Sequence, residues 1–281
     1  DDPGLMKTKE FFKGKVITYG VAKTSLSYNK KDNFSLDNAY CPVCHRKLIY
    51  YYYHYGHIGS YYCPGCDFKR GNPDYLAKNV NLKNKTFTIN NETISLNKNF
   101  LFTVYAEVAA YALCNTIGIK ESKILYALNK DIVSTKRGKE LKLLNRDITM
   151  LESKNENALS YYQSLKYIAE ADGEKTVILG FDNVSRRYKY NDLSWLWDVD
   201  FELLNEESIK HIVLIGRFKW DILVRLNYAN VKEDKIIMVD DLNDITKILL
   251  NETKGDIYTM VCFDMTAILK AKFKEAANGN N

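Results

Sequence analysis

The sequence predicts an α/β protein in two parts. The first is an α/β segment interrupted by a small zinc-ribbon insertion, and the second is a Rossmann-like, doubly wound domain. Three observations predict this. Beyond residue 134, short apolar runs alternate with helical stretches, as in strand–helix–strand units. Before it, strand and helix signals enclose two Cys-x-x-Cys pairs. A chain of 281 residues is long enough for one large or two ordinary domains. The division is placed at residues 1–133 and 134–281, with the insertion at about 40–68.

Each element has its own signal. Val16 to Tyr19 reads as a short strand. Val80-Asn81-Leu82 and Thr86 to Ile89 read as two more, separated by Lys83-Asn84-Lys85. Phe100 to Ile117 is an Ala-rich helix ended by Gly118 at a C′ position, and Lys120 to Leu128 is a shorter one. Glu140 to Leu144 is a strand. Asn157 to Ala171 is a helix with Leu159, Tyr162, Leu165 and Ile168 or Ala169 on one face. The runs Thr176–Phe181, His211–Gly216, Lys235–Val239 and Asp256–Phe263 are short and apolar, as buried parallel strands are. Asp221–Tyr228, Leu242–Leu250 and Thr266–Ala276 are the helices among and after them.

Composition excludes several classes. Forty Lys and Arg against 35 Asp and Glu leave +5 over the whole chain, too even a balance for a nucleic-acid binder. No signal peptide or membrane span is visible. The most apolar window, Phe100 to Cys114, is too short and carries Glu107. The chain begins at Asp1-Asp2-Pro3-Gly4 without an initiator Met, which leaves a longer parent protein open. It contains no G-x-x-x-x-G-K-[ST] phosphate loop, no G-x-G-x-x-G and no G-x-S-x-G, so a self-contained nucleotide enzyme is not visible.

Four of the six cysteines form Cys41-Pro-Val-Cys44 and Cys63-Pro-Gly-Cys66, with 18 residues between the pairs. That spacing lies in the window of zinc sites. Each turn can aim two sulfurs at one point, and two turns complete a tetrahedron of thiolates around Zn²⁺. A closed four-sulfur shell has no open position, so its role is structural. His45, His54 and His57 are therefore expected not to be ligands, and Cys114 and Cys262 to be packing residues. The aromatic run Ile49 to His57 is expected to be a hairpin whose rings shield the turns and pack on the parent domain, rather than a platform for bases.

The stretch from Tyr40-Cys41-Pro42-Val43-Cys44 through Tyr55-Gly56-His57-Ile58-Gly59 to Tyr62-Cys63-Pro64-Gly65-Cys66-Asp67-Phe68 resembles the zinc ribbon of the MurT family. These are Mur-ligase-like subunits of bacterial lipid II isoglutaminyl synthase. Leu193-Ser194-Trp195-Leu196-Trp197-Asp198-Val199-Asp200-Phe201-Glu202 resembles that family's C-terminal motif. Asp1-Asp2-Pro3, Asp74-Tyr75, Gly216-Arg217, Asp221, Arg225-Leu226, Tyr228-Ala229 and Tyr258-Thr259 continue the likeness. It implies the remainder of a Mur ligase central domain, with Cys41, Cys44, Cys63 and Cys66 holding the zinc, followed by a Mur ligase-like C-terminal domain.

The resemblance also implies an activity: ATP- and Mg²⁺-dependent amidation of the D-glutamate α-carboxylate of lipid II, in peptidoglycan biosynthesis. Ammonia would come from a GatD-type glutaminase partner. The location implied is cytoplasmic, at the inner face of the membrane. Asp198, or failing that Asp200, would orient the partner's catalytic His, as a carboxylate on the far imidazole nitrogen does. The competing role for these residues is capping a helix near Phe201. Trp195 and Trp197 are expected in packing or at an interface, and Arg217 and Asp221, four apart, as a helix-surface pair worth about 0.3–0.5 kcal/mol.

Departures from the family pattern fall on nucleotide and substrate positions. The phosphate-loop portion is missing from the sequence. The Tyr-Asn-x-Tyr-Asn pattern reads Phe102-Thr103-Val104-Tyr105-Ala106, so both amides are lost. The Phe-Gly-Arg-x-Glu linker is not recognisable around Ile132 to Lys139, and Lys-Asn-Pro-Ala-Gly is replaced near Leu144 to Asp147. The alternative to a ligase subunit is thus a non-catalytic relative that scaffolds or binds a glutaminase.

Overall fold

The computed structural model describes residues 1–29, 38–97, 99–130, 139–151, 157–182 and 192–278. The chain divides into two compact units, Asp1–Val133 and Ser134–Asn281. The point of division, like the expected linker at 132–139, lies almost wholly outside the described residues.

The first unit contains α1 (Pro3–Thr8), β1 (Tyr19–Val21), β2 (Ile49–Tyr55), β3 (Ile58–Tyr62), β4 (Tyr75–Asn81), β5 (Thr86–Ile89), β6 (Glu92–Ser95), α2 (Leu101–Thr116) and α3 (Glu121–Asn129). Strands β1-β4-β5-β6 form one sheet, with β1 parallel to β4 and the others antiparallel; β2 and β3 form a separate hairpin. Alternation on β5 turns Phe87 and Ile89 inward. Val104, Val108 and Tyr111 recur along α2 at helical spacing and pack against them, with Val21, Ala77 and Ile94 completing the core. Gly118, at φ +84°, ends α2 in the left-handed conformation that a C′ glycine adopts without strain.

Two expectations shift here. The first strand begins at Tyr19, not Val16, because pairing starts where Tyr19 meets Tyr75. The sequence reading also missed β6. Its signal was Asn90-Asn91, both at positive φ, which make a two-residue hairpin turn.

The second unit contains β7 (Lys139–Leu143), β8 (Arg146–Met150), α4 (Ala158–Glu170), β9 (Lys175–Gly180), β10 (Ile209–Ile215), α5 (Lys219–Tyr228), β11 (Ile236–Met238), α6 (Ile245–Asn251), β12 (Asp256–Val261) and α7 (Phe263–Asn278). They build a sheet of order β11-β10-β9-β12-β8-β7, parallel except that β7 runs antiparallel to β8 at the edge. Strand β9 is buried along its whole length, as a central parallel strand must be. Asn157 caps α4, its side chain accepting from the Ser160 amide at 2.9 Å. Tyr161 rather than Leu159 joins Tyr162, Leu165 and Ile168 in the buried face of α4.

Strand β8 was not anticipated. Its polar start, Arg146-Asp147, hides the inward pair Ile148 and Met150. The turn before it puts Leu144 at φ +54°, which ends β7 at Leu143. Between β9 and β10 the chain forms two single turns of 3-10 helix, Ser194–Asp198 and Phe201–Asn205. The expected helix from Leu242 is a 3-10 turn, Leu242–Asp244, leading into α6. Among the described residues no helix is long and apolar enough to cross a membrane.

Glu107 is the one carboxylate buried in the α2 face. Burial raises its pKa to about 7, against a backbone hydrogen bond from Asn97 that works the other way. A raised carboxyl pKa means that ionisation costs stability as pH rises from the ordinary carboxylate range through 7. Glu107→Gln is therefore expected to raise the melting temperature at pH 8, by the equivalent of about 1–2 kcal/mol, and to change it little at pH 5. Thermal scans of both proteins at the two pH values check this.

Candidate functional site

Each Cys-x-x-Cys turn in the first unit is held by the same three backbone contacts. The amide two residues after the first cysteine donates to its sulfur, Val43 to Cys41 and Gly65 to Cys63, each at 3.4 Å. The first cysteine's own amide bonds to the carbonyl five residues on, Cys41 to Arg46 at 2.7 Å and Cys63 to Phe68 at 2.8 Å. A bridge seven residues wide closes each turn, Tyr40 with Lys47 and Tyr62 with Lys69. All four cysteines are free of disulfides.

The two turns face each other. The sulfurs of Cys41 and Cys66 lie 3.6 Å apart and those of Cys44 and Cys63 3.3 Å, and all four fall within 4.8 Å of one another. A tetrahedral zinc with Zn–S near 2.3 Å places its sulfurs about 3.8 Å apart. The donor set and its spacing therefore fit a structural Zn²⁺, which these four residues would hold. The histidines are engaged elsewhere. Ring nitrogens of His54 lie 3.0 Å from Ser27 Oγ and 3.1 Å from the Val21 carbonyl oxygen, and His57 Nε2 lies 3.5 Å from Asp2 Oδ2. His45 sits at φ +59° on an exposed turn.

The hairpin β2–β3 joins this cysteine cluster to the sheet. Tyr50 and Tyr53 stack with centroids 4.1 Å apart, and Tyr61 packs on Phe68 beside the sulfurs. Gly59 is required here, because a Cβ would lie 2.3 Å from the Tyr52 carbonyl oxygen. Tyr55 and His54 meet the ring of Tyr105 on α2 edge-on. A buried carboxylate completes the junction. Asp1 pairs with Arg70, accepts from the Val21 amide at 2.9 Å and accepts from the Tyr105 hydroxyl at 2.5 Å. The first residue of Asp-Asp-Pro, Arg70 just beyond the ribbon and Tyr105 on α2 thus meet at one point.

In the second unit, Trp195 and Trp197 diverge. Trp195 packs on Tyr161 and Phe181 at 5.0 and 5.7 Å. Trp197 is 53 % exposed and meets Tyr228 edge-on at 5.1 Å. Along α5, Trp220, Val224 and Tyr228 recur every four residues and are all exposed, forming an apolar stripe that Trp197 extends. Buried Arg225 pins the arrangement from below, donating to the Val199 carbonyl at 2.8 Å and pairing with Glu202 at 3.0 Å. Asp198, the residue after Trp197, is half-buried at the end of its turn. Asp200 occupies the cap position before Phe201 but makes no side-chain cap bond. The Arg217–Asp221 pair is absent from the ion pairs among the described residues; Arg217 lies over the Phe218 ring at 5.3 Å.

Sequence reasoning missed Asp182. It follows β9 at the carboxyl end of the sheet, where strand order reverses between β9 and β12 and ligands of open α/β sheets bind. Its side chain accepts from the Arg217 amide at 2.6 Å, and its own amide donates to Cys262 Sγ at 3.4 Å. Gly216, at φ +85°, gives the room: a Cβ there would lie 2.9 Å from the Phe181 carbonyl oxygen. The available signal was an acidic residue directly after the apolar run Thr176–Phe181.

Solved structures share this fold. A pseudomurein peptide ligase type C from Methanothermus fervidus superposes with a TM-score of 0.67, over 95 % of this chain and 54 % of that one, at 19 % identity. The UDP-N-acetylmuramoylalanyl-D-glutamyl-2,6-diaminopimelate–D-alanyl-D-alanyl ligase of Acinetobacter baumannii does so with a TM-score of 0.54, over 72 % of this chain and 44 % of that one, at 18 % identity. The protein has a Mur ligase-like α/β fold.

Residues 154–267 match the family described as MurT ligase C-terminal. The MurT subunit of Staphylococcus aureus (strain COL) lipid II isoglutaminyl synthase (glutamine-hydrolyzing) is 26 % identical over 241 residues, 85 % of this chain. The chain is thus similar to MurT over most of its own length, and it spans about half the length, 53 %, of that curated protein.

The sulfur geometry predicts one zinc ion per chain, measurable by elemental analysis. Cys41→Ser or Cys63→Ser is expected to abolish stoichiometric zinc and to lower the melting temperature of the first unit. A metal-free preparation that melts as the native protein does would contradict a structural role.

Proposed function

We propose that this chain is the ligase-type subunit of an amidating enzyme of cell-wall synthesis. The reaction converts the α-carboxylate of the D-glutamate in lipid II to an amide. ATP phosphorylates the carboxylate to an acyl phosphate, and ammonia then displaces inorganic phosphate to give D-isoglutamine. ATP with Mg²⁺ would supply the phosphoryl group and spread its charge. A GatD-type glutaminase would supply the ammonia. The relationship to MurT supports this reading, since the S. aureus relative is named for that synthase.

The observation that carries the partner assignment is the α5 stripe with Asp198 beside it. Exposed aromatic side chains in a contiguous row are the residues that anchor protein interfaces. Among the described residues, the Asp198 carboxylate makes no hydrogen bond or ion pair, so it is available to a group brought by a partner. Its role would be to bond the far imidazole nitrogen of the partner's catalytic His, fixing its tautomer and steadying the imidazolium. Arg225 would act as a positioning residue, holding both 3-10 turns against α5. The four thiolates would brace the first unit and take no part in the chemistry.

A second reading is a scaffold that docks a glutaminase without amidating. Thr103 and Ala106 favour it, because they stand on α2 where the resemblance expects amides. The deciding experiment is glutamine- and ATP-dependent amidation of lipid II by the chain co-expressed with its glutaminase. Amide product supports the ligase reading; a stable complex with no product supports the scaffold.

Asp198→Asn is expected to lower glutamine hydrolysis by the complex at least about a hundredfold while leaving assembly intact. Trp220→Ser and Tyr228→Ser should each weaken assembly by about 2 kcal/mol, read as a rise in Kd by titration calorimetry.

A further inference from the structure

One surface of the first unit is left unused by this reading. The segment Leu5 to Lys15, which follows the Asp1–Arg70 junction, exposes hydrocarbon and positive charge together. Leu5, Phe11 and Phe12 are 66, 75 and 65 % exposed. Phe11 ends a single 3-10 turn and Phe12 follows it in extended conformation, so two consecutive phenylalanines are exposed in this segment. Lys9, Lys13 and Lys15, close by in sequence, are exposed as well. From Leu5 to Lys15 there are four lysines against one acidic residue, Glu10, so a net +3 of the chain's +5 lies in this short stretch.

The segment is fixed to the body of the unit. Asp2 caps α1, its side chain accepting from the Gly4 amide at 2.8 Å, and Pro3 opens the helix. Met6 packs against the cysteine cluster, and Lys7 donates to the Pro42 carbonyl oxygen at 2.7 Å. The inner side of α1 is therefore spent on the ribbon, while among the described residues Leu5 and the phenyl pair stand exposed. Aliphatic and phenyl groups in water cost free energy in proportion to their area, so their display needs a partner that buries them.

We infer that Leu5, Phe11 and Phe12, together with Lys9, Lys13 and Lys15 of the same segment, form a contact surface for an anionic lipid bilayer. Phenyl and leucyl groups enter the boundary between head groups and acyl chains, and lysines face the negative head groups. The complementarity is of both kinds at once: apolar side chains to the acyl region, ammonium groups to phosphate. Nucleic acid is the less fitting partner. The segment has no arginine for bidentate phosphate contacts, and its two rings are adjacent rather than spaced along a groove as a stacking path requires. The inference concerns this chain's own surface, and it stands whether or not the ligase assignment does.

The test is flotation of the 281-residue chain with unilamellar vesicles, either phosphatidylcholine alone or equal parts phosphatidylcholine and phosphatidylglycerol. Binding to the mixed vesicles is expected to exceed that to neutral ones at least about tenfold and to weaken with salt. The double variant Phe11→Ser with Phe12→Ser is expected to lose mixed-vesicle binding about tenfold or more. Lys13→Glu with Lys15→Glu should remove the preference for the anionic lipid. All four positions are exposed, so both variants should keep the parent's zinc content and circular dichroism. Failure of the parent chain to float, equal partition to both vesicle types, or unchanged binding of the phenylalanine variant would each overturn the inference. So would binding of a single-stranded DNA oligonucleotide, abolished in that variant, without flotation.

Discussion

Four sulfur atoms within 4.8 Å of one another set the terms for the first unit. The ribbon around them has a small apolar core of its own: Cys41, Leu48, Tyr61 and Cys63 are buried, with Met6, Tyr50 and Phe68 packed against them. Modules of this size do not hold together by burial alone and need a metal or a staple. Ionised thiolates at such spacing would repel one another, so a cation held between them would be what lets the cluster close the fold. The turns are prepared for it, because amide hydrogens already point at the sulfurs of Cys41 and Cys63.

What the ribbon braces is the start of the sheet. Val21 lies at the meeting point of three parts: its amide bonds to Asp1, and its carbonyl oxygen receives Arg70 and faces His54. A carboxylate as enclosed as that of Asp1 is tolerated because a guanidinium, an amide and a hydroxyl all point at it. Loss of any one would leave buried charge short of partners, so β1, the ribbon and α2 are coupled through that site. The second unit uses a comparable device. Arg225 lies under Trp197 and Phe201 and bonds to the backbone between the two 3-10 turns, so the turn bearing Asp198 is tied to the helix bearing the exposed stripe.

Much of this was legible in the sequence, for identifiable reasons. The parallel strands β9, β10 and β12 are continuous apolar runs because both faces of a central strand are covered, and such runs are plain to read. The cysteine turns were legible because ligand spacing is a local property of the chain. Strand β8 was not, since three of its five residues are polar and its burial comes from pairing with β12, a neighbour more than a hundred residues away. The Asp1–Arg70–Tyr105 junction was equally hidden. Its members lie up to 104 positions apart, and no pattern within one segment announces a contact between segments. Asp182 was overlooked because its importance comes from standing where the sheet's strand order reverses, a property of topology.

The placement of the three tryptophans has an optical consequence. All of them belong to the second unit, at 195, 197 and 220, while the ribbon is rich in tyrosine and has no indole. Two of the three are largely solvated and lie on the stripe. Emission excited in the indole band therefore samples that stripe without any label: coverage by another protein would shift it to shorter wavelength. Events at the sulfur cluster, whose apolar neighbours Tyr50, Tyr61 and Phe68 include no indole, are not reported by an indole beside them.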